Sequence, residues 1–549
     1  MKKKHLLLIL IAIVFIGAFL RLWQLGSIPP SPDWDEAAIG YDAYSILKTG
    51  HDQFGKSMPF VLRSLDDYKP AFYAYLTIPP IFFSGLSVFA VRLPSAIFGI
   101  FSIIALFLLV SELFKSYKYK DFLSLISAFL FAISPWSIQF SRVGFESNVG
   151  TSLNLFAALF FIKGLKKPLY LFISFISAAL SIYTYQSEKV FTPLLILILI
   201  IIYRKELFKL SKKYIILAFI VGFIVIFPML FYTLTDKAAL SRASGTSIFA
   251  SQTELLKTSI RDLERDLKNG SKLGLIFDNR RVVYAKTIIS GYLSHFDLNW
   301  LFIKGDNERH HAPNMGLLYL FELPFFLLGF YALTFASFDK KTKMLLFLWI
   351  LAVPIPASIT TGVPHAVRTL NFIPIFPIIS ALGFVSALIY IKKYKVAKIS
   401  LYALFMLIFL LNISYYLNQY FVQLNKYDSE YWQYGYKQVV NEINTIGKNY
   451  EQIVVSSEGN FDKSYIFFLF YQQYSPIEYQ KITKQRPKNP VGNSSSFDKF
   501  VFRPINWASD SNSKKTLFVG SLDEIPQSAK IIKTIYYLNG SPALRIAGT

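Results

Sequence analysis

The feature that most limits what this chain can fold into is the spacing of its apolar residues. They form unbroken blocks, many near the ~20 residues a helix needs to cross a bilayer, rather than following the periods of a soluble core. The first block, Leu6–Leu20, follows the basic start Met1–His5. No small-x-small cleavage site follows Phe19, where the chain runs on as Leu20-Arg21-Leu22-Trp23, so the block reads as a retained span and not as a cleaved signal peptide. Further blocks at about 86–112, 122–140, 148–163, 169–185, 190–203, 214–232, 317–337, 344–360, 369–391 and 397–416 predict about eleven spans. The abundance of Phe and Tyr suits lipid-facing surfaces and interfacial belts.

With Lys2, Lys3 and Lys4 inside, the chain exits on the non-cytoplasmic side near Trp23, and alternate loops should then be cytoplasmic. Those loops carry Lys115, Lys118 and Lys120; Lys163, Lys166 and Lys167; Arg204, Lys205, Lys209, Lys212 and Lys213; Lys340, Lys341 and Lys343; and Lys392, Lys393, Lys395 and Lys398. Every one is short and basic, as the positive-inside rule requires. The formal net charge of +23 therefore reflects topology and anionic lipid. It does not point to nucleic acid, for which no motif is present. The absence of cysteine excludes disulfides, thiolate metal sites and a Cys nucleophile. Residues 1–416 are expected to form a transmembrane module with two long outside loops, 23–75 and 233–316. The second loop contains a charged stretch, Thr253–Lys268, predicted as an amphipathic helix on the bilayer surface. Residues 417–549 are polar; a helix at Tyr434–Ile446 and strands at Ile453–Ser456, Thr516–Gly520 and Ala543–Ala547 predict a small α/β domain, placed outside by the odd number of spans.

Four loop segments concentrate chemistry-bearing residues near the outer surface. In Pro32-Asp33-Trp34-Asp35-Glu36 the preceding prolines stiffen the exit from the first span, and adjacent carboxylates can serve as general base or metal ligands. The same acids can equally cap a helix at Ala37–Lys48. Asp66-Asp67-Tyr68-Lys69-Pro70 offers a lysine to a lipid phosphate, or simply a snorkelling interfacial lysine. Arg142 and Glu146 sit in a short loop close to the bilayer and are either functional or a structural pair at i,i+4. Pro364-His365-Ala366-Val367-Arg368 brings a guanidinium that can hold phosphate oxygens or anchor the interface. His295, Glu308, His310 and His311 share one loop without a known metal-ligand spacing, and read as exposed loop histidines.

Together these segments resemble the GT-C glycosyltransferases, in the branch of the dolichyl-phosphate-mannose protein mannosyltransferases and aminoarabinose transferases, in its bacterial form. The resemblance is carried by Pro32–Glu36, Ala43–Gly50, Tyr68-Lys69-Pro70 with Tyr73–Leu76, Val91–Ala96, Ser134-Pro135-Trp136, Phe140-Ser141-Arg142 with Glu146, Tyr183-Thr184-Tyr185, and His365-Ala366-x-Arg368. It covers about residues 20–420 and implies an all-α polytopic membrane protein of a prokaryotic plasma membrane, N-terminus inside, active site and C-terminus outside. It further implies transfer of a sugar from a polyprenyl-phosphate donor to an extracytoplasmic acceptor hydroxyl, with inversion. By the same resemblance Asp35 acts on the acceptor with Glu36 as partner, Glu146 is the second acid (a Glu where many relatives have Asp), and Lys69 and Arg368 bind the donor phosphate. Asp33, Tyr68, Arg142 and His365 are possible donor or acceptor contacts, and Arg92 holds the loop to the bundle. A divalent metal is possible but not required, since some relatives use one and others do not. The rival classes are a transporter or flippase of lipid-linked sugars, and a non-catalytic protein of the same fold.

Overall fold

An apolar block in hydrocarbon must satisfy its own backbone, and a helix does so within one segment. Each of the eleven predicted blocks contains helix in the computed structural model, which describes residues 2–64, 67–235, 245, 247–249, 252–391, 397–484 and 496–549. Asp66 and the loop residues Lys392, Lys393 and Lys395 lie outside the described residues. Among the described residues six helices are long and apolar enough to cross a membrane: Lys3–Leu22, Val88–Leu113, Lys212–Thr235, Lys340–Ser358, Leu370–Ile391 and Ile399–Tyr427. A seventh is the pair Lys120–Ile133 and Pro135–Ser141, bent by 56°, where Pro135 has no N–H to continue the ladder. The other blocks form helices Glu146–Gly164, Leu169–Ile182, Glu188–Leu207 and Leu323–Phe335, which are shorter, more polar or more charged at their ends. Helix Gln252–Lys268 forms where the amphipathic stretch predicts it.

The chain clusters into two compact units. The first comprises residues 1–18, 98–138 and 146–412. Within it helices Leu323–Phe335 and Phe376–Ile391 touch backbone to backbone: a Cβ on Gly329 would lie 1.9 Å from the Ile379 carbonyl oxygen, and one on Gly383 1.8 Å from that of Phe325. Small residues permit such approach between membrane helices. A buried polar knot joins four segments. Asn371 Nδ2 donates to both Glu188 oxygens (2.9 and 3.0 Å), Asn154 Nδ2 donates to Glu188 Oε2 (2.6 Å), and Trp349 Nε1 donates to the Asn371 carbonyl (2.9 Å).

The second unit comprises residues 19–97, 139–145 and 413–549, so the first long loop clusters with the C-terminal residues. Its five-stranded sheet has the order β4-β3-β5-β7-β6, from β3 (Gln452–Val455), β4 (Phe500–Phe502), β5 (Thr516–Gly520), β6 (Ile531–Tyr536) and β7 (Pro542–Gly548). β3 runs parallel to β4 and β5, and β7 is antiparallel to both β5 and β6. Central β5 is buried at every position, as a strand covered on both faces must be. Helix Tyr436–Ile446 buries Tyr436, Val439, Val440 and Ile443, one helical stripe. Helix Trp34–Thr49 is buried along most of its length and packs on helices Ser464–Gln472 and Pro476–Lys484. Gly40 makes that possible, since a Cβ there would stand 2.7 Å from Phe470 and Val91. Gln480 Nε2 ties the far end by donating to Ser45 Oγ, Thr49 Oγ1 and the Asp52 carbonyl (2.9–3.0 Å). The loop helix and the C-terminal domain therefore pack together within one unit.

Candidate active site

The chain leaving the first helix is fixed by two buried arginines. Arg142, fully buried, donates to the carbonyls of Leu20 (2.8 Å), Gln24 (3.4 Å) and Ile28 (2.9 Å), and stacks over Tyr420 and Phe421. It thus ties the last turn of the first helix, at Leu20, to the loop that follows it, at Gln24 and Ile28. Arg92, also fully buried, donates to the carbonyls of Leu25 (3.2 Å), Pro29 (2.8 Å) and Ser31 (2.7 Å). Its remaining edge forms a two-pronged pair with Glu36, Nε to Oε1 at 2.8 Å and Nη2 to Oε2 at 2.9 Å.

The structure separates the three acids of the elbow by role. Asp33 is the N-cap of helix Trp34–Thr49: its Oδ1 accepts from the Glu36 N–H (2.8 Å), and Glu36 Oε2 accepts from the Asp33 N–H (3.2 Å), a complete capping box. Glu36 Oε1 also accepts from the Gly144 N–H at 2.7 Å. With Arg92, that fills the four acceptor positions of a carboxylate, so Glu36 is engaged as a clamp. Asp35 remains on the open side, its side chain 29% exposed, and forms an ion pair with Lys69. Lys69 comes from the hairpin of β1 (Val61–Ser64) and β2 (Asp67–Pro70), where it pairs with Leu62 and is 4% exposed. Tyr68, its half-buried neighbour, sits opposite Arg63. Residues 34 apart in sequence are thereby joined as a carboxylate and a cation at the start of a helix.

The remaining candidates belong to the first unit. Glu146 opens helix Glu146–Gly164 and is buried, its carboxylate at the helix N-terminus where the dipole favours an anion. Arg368 is half-buried and donates from Nη1 to Thr360 Oγ1 (2.5 Å) and the Thr361 carbonyl (2.6 Å). His365 lies beside His310, ring centroids 5.2 Å apart, and its N–H donates to His295 Nε2 at 3.2 Å.

The reading of the loop histidines as exposed is corrected, because His295 and His310 are buried. Among the described residues, the group that could hold a divalent cation is Asp306, His310 and His365, whose ligand atoms all lie within 4.8 Å of one another; Glu308 is exposed and not part of it. Asp306 Oδ2 accepts from His310 Nδ1 (2.8 Å) and from the Ala366 N–H (2.7 Å), while His365 Nδ1 is buried without a hydrogen-bond partner among the described residues. Burial pushes His295 down to about 4, and lowers His310 and His365 as well. At neutral pH all three are uncharged, the form that binds metal. Burial, the largest single influence, pushes the Asp306 carboxyl up, but His310, His365 and the Ala366 N–H together outweigh it and hold the acid below its usual range. Two carboxylate-and-imidazole ligand types suit zinc or a similar ion. Asp306 was not among the sequence candidates; the signal available was its i,i+4 spacing to His310.

Comparison with known proteins extends this geometry. Residues 69–232 match the family model of dolichyl-phosphate-mannose-protein mannosyltransferase. No curated protein matches the chain. ArnT from Cupriavidus metallidurans, solved in the apo state, aligns over 100% of this chain and 98% of its own at 11% identity, with a TM-score of 0.53. The chain has the GT-C glycosyltransferase fold. ArnT bound to undecaprenyl phosphate aligns over 98% of this chain and 97% of its own at 10% identity, with a TM-score of 0.52. The archaeal oligosaccharyltransferase AglB from Archaeoglobus fulgidus, solved with an inhibitory peptide and a dolichol-phosphate, aligns over 95% of this chain and 70% of its own at 15% identity, with a TM-score of 0.49. The stretch that matches the mannosyltransferase family model begins at Lys69 and includes Arg92, Arg142 and Glu146.

Proposed function

We propose that this GT-C protein is a membrane glycosyltransferase that moves a sugar from a polyprenyl-phosphate carrier to the hydroxyl of an extracytoplasmic acceptor, with inversion. The observation that carries the reading is the Asp35–Lys69 pair, on an elbow locked by Arg92 and Glu36. A carboxylate and an ammonium held side by side suit a reaction in which a hydroxyl loses a proton as a phosphate departs. Lys69 receives the donor phosphate, assisted by Arg368, and charge developing on the leaving group is stabilised there. As the phosphate engages Lys69, Asp35 is released to accept the acceptor's proton, and the hydroxyl attacks the anomeric carbon opposite the leaving group. Asp33 and Glu36 position Asp35, and Glu146 is a second acid acting on the acceptor. Tyr68 and His365 contact donor or acceptor, and Asp306, His310 and His365 would hold a divalent ion where one is used. Residues 1–416 are the catalytic module and 417–549 the C-terminal domain, in a prokaryotic plasma membrane with the N-terminus cytoplasmic.

The test is to incubate the purified, reconstituted protein with a panel of polyprenyl-phosphate sugars and measure sugar-dependent release of polyprenyl phosphate. Release by the wild type that vanishes in Asp35→Asn supports the reading. An Asp35→Asn protein that releases carrier at the wild-type rate overturns the assignment of the base. Transport of intact donor without release overturns the enzyme reading itself.

A further inference from the structure

Within the first unit, a cavity of about 240 Å³ opens among helices Lys120–Ile133, Leu323–Phe335, Phe376–Ile391 and Ala397–Asn418. Its wall is a collar of phenylalanines, in which Phe321, Phe325, Phe384, Phe405 and Phe409 meet with centroids 5.2–6.2 Å apart. The lining is apolar except at one point, where Glu322 and Ser380 enter it. Glu322 is only 2% exposed; its carboxyl meets the Ser380 hydroxyl and the Tyr319 N–H, and its Oε1 completes no well-aligned hydrogen bond among the described residues.

A carboxyl among aromatic rings is costly unless something hydrogen-bonds to it. The sequence offers no local reason to retain an acid between Phe321 and Leu323, since helix Leu323–Phe335 receives no side-chain cap from Glu322. The cavity rim reaches Met406, which with Leu404, Leu407 and Ile408 belongs to the exposed apolar face of helix Ala397–Asn418. An occupant therefore enters from lipid. It must be uncharged, because no Lys, Arg or His lines the cavity and a phosphate would meet only Glu322. It must also carry a group able both to donate and to accept, which a hydroxyl does and a hydrocarbon chain does not.

We infer that this cavity is a binding site for a neutral, hydroxyl-bearing glycerolipid of the surrounding bilayer, with its hydroxyl on Glu322 and Ser380 and an acyl segment in the phenylalanine collar. A polyprenyl-phosphate donor fits it poorly, since below its phosphate it offers hydrocarbon alone. The site is thus separate from the one proposed for the donor and does not depend on that proposal.

The full-length protein in detergent, stripped of lipid, is labelled with a photoactivatable dioleoylglycerol, and labelled peptides are identified by mass spectrometry. Labels are expected on Phe321–Phe325 and Phe405–Phe409, displaced by unlabelled dioleoylglycerol and not by undecaprenyl phosphate. Glu322→Leu should weaken labelling about tenfold, the equivalent of one lost hydrogen bond to an acid. Phe409→Trp keeps the carboxyl but fills the cavity, and should abolish labelling while the protein still elutes as a single folded species. Labelling that both variants leave unchanged, that undecaprenyl phosphate displaces equally, or that spreads over all lipid-facing helices overturns the inference.

Discussion

Replacing Arg92 by leucine removes the element on which the geometry of the elbow depends. The guanidinium makes two bonds to Glu36 and three to the carbonyls of Leu25, Pro29 and Ser31, all from a fully buried position. Deleting one partner of a buried pair strands the other charge, at about 3–5 kcal/mol. Glu36 would keep only the N–H groups of Gly144 and Asp33, and three carbonyls would lose a donor, so the upper end of that range applies. Against a total stability of roughly 5–15 kcal/mol this is a large fraction. The assay is thermal unfolding of the detergent-solubilised protein, followed by size-exclusion of the surviving fraction. Arg92→Leu should melt well below wild type. Arg92→Lys should fall between, because an ammonium keeps the charge but cannot span five acceptors. The Arg92→Leu/Glu36→Leu double variant should recover part of the loss, since no charge is left stranded. Transfer by Arg92→Leu, measured well below its melting temperature, should fall further than its folded fraction, because Asp35 is adjacent to the released Glu36. If Arg92→Leu melts with the wild type, or the double variant is no better than the single, the clamp does not hold the elbow and the reasoning fails.

Asp35→Asn should lower transfer by about 10²–10⁴-fold, the usual contribution of a general base, with unchanged melting. Lys69→Met should mainly raise the KM for the donor, and a rise for the acceptor alone would contradict its phosphate role. Burial and the nearby Asp52 hold Asp42 well above the ordinary carboxyl range. The folded protein therefore binds the extra proton, and stability falls as pH rises from about 4 through the raised pKa. Asp42→Asn should accordingly stabilise the protein at pH 7, with an advantage that shrinks on acidification. Gln53, which donates to both Asp42 oxygens and whose own Oε1 has no hydrogen-bond partner among the described residues, can flip its amide to accept from the new one; melting curves from pH 4 to 8 check this. Gly383→Leu should prevent the contact with the Phe325 carbonyl and abolish folded protein in the membrane, whereas Ile391→Leu at the end of the same helix should be tolerated.

The spans were legible in the sequence because a bilayer imposes one rule on every segment: enough consecutive apolar residues, closed by charge at the ends. Helix Gln252–Lys268 and strand Thr516–Gly520 were legible for similar local reasons, amphipathic period in one and a continuous apolar run in the other. Strands β4 and β6 were not, since Phe500–Phe502 is three residues long and Ile531–Tyr536 alternates only weakly. The elbow shows the limit most clearly. Asp33, Asp35 and Glu36 are equivalent as letters, and what distinguishes them is their partners: a helix N-terminus, Lys69 from a hairpin, and Arg92 from a later span. The loop histidines changed meaning for the same reason, once Asp306 and His365 lay beside His310.

Sequence alone determined that the chain lies in a membrane, which loops carry the positive charge, and which few segments could perform chemistry. Those properties depend on hydrophobicity and charge summed along the chain. Tertiary structure decided which acid is a cap, which a clamp and which stays partly exposed beside Lys69, because the state of a buried charge is set by groups brought to it from elsewhere in the chain.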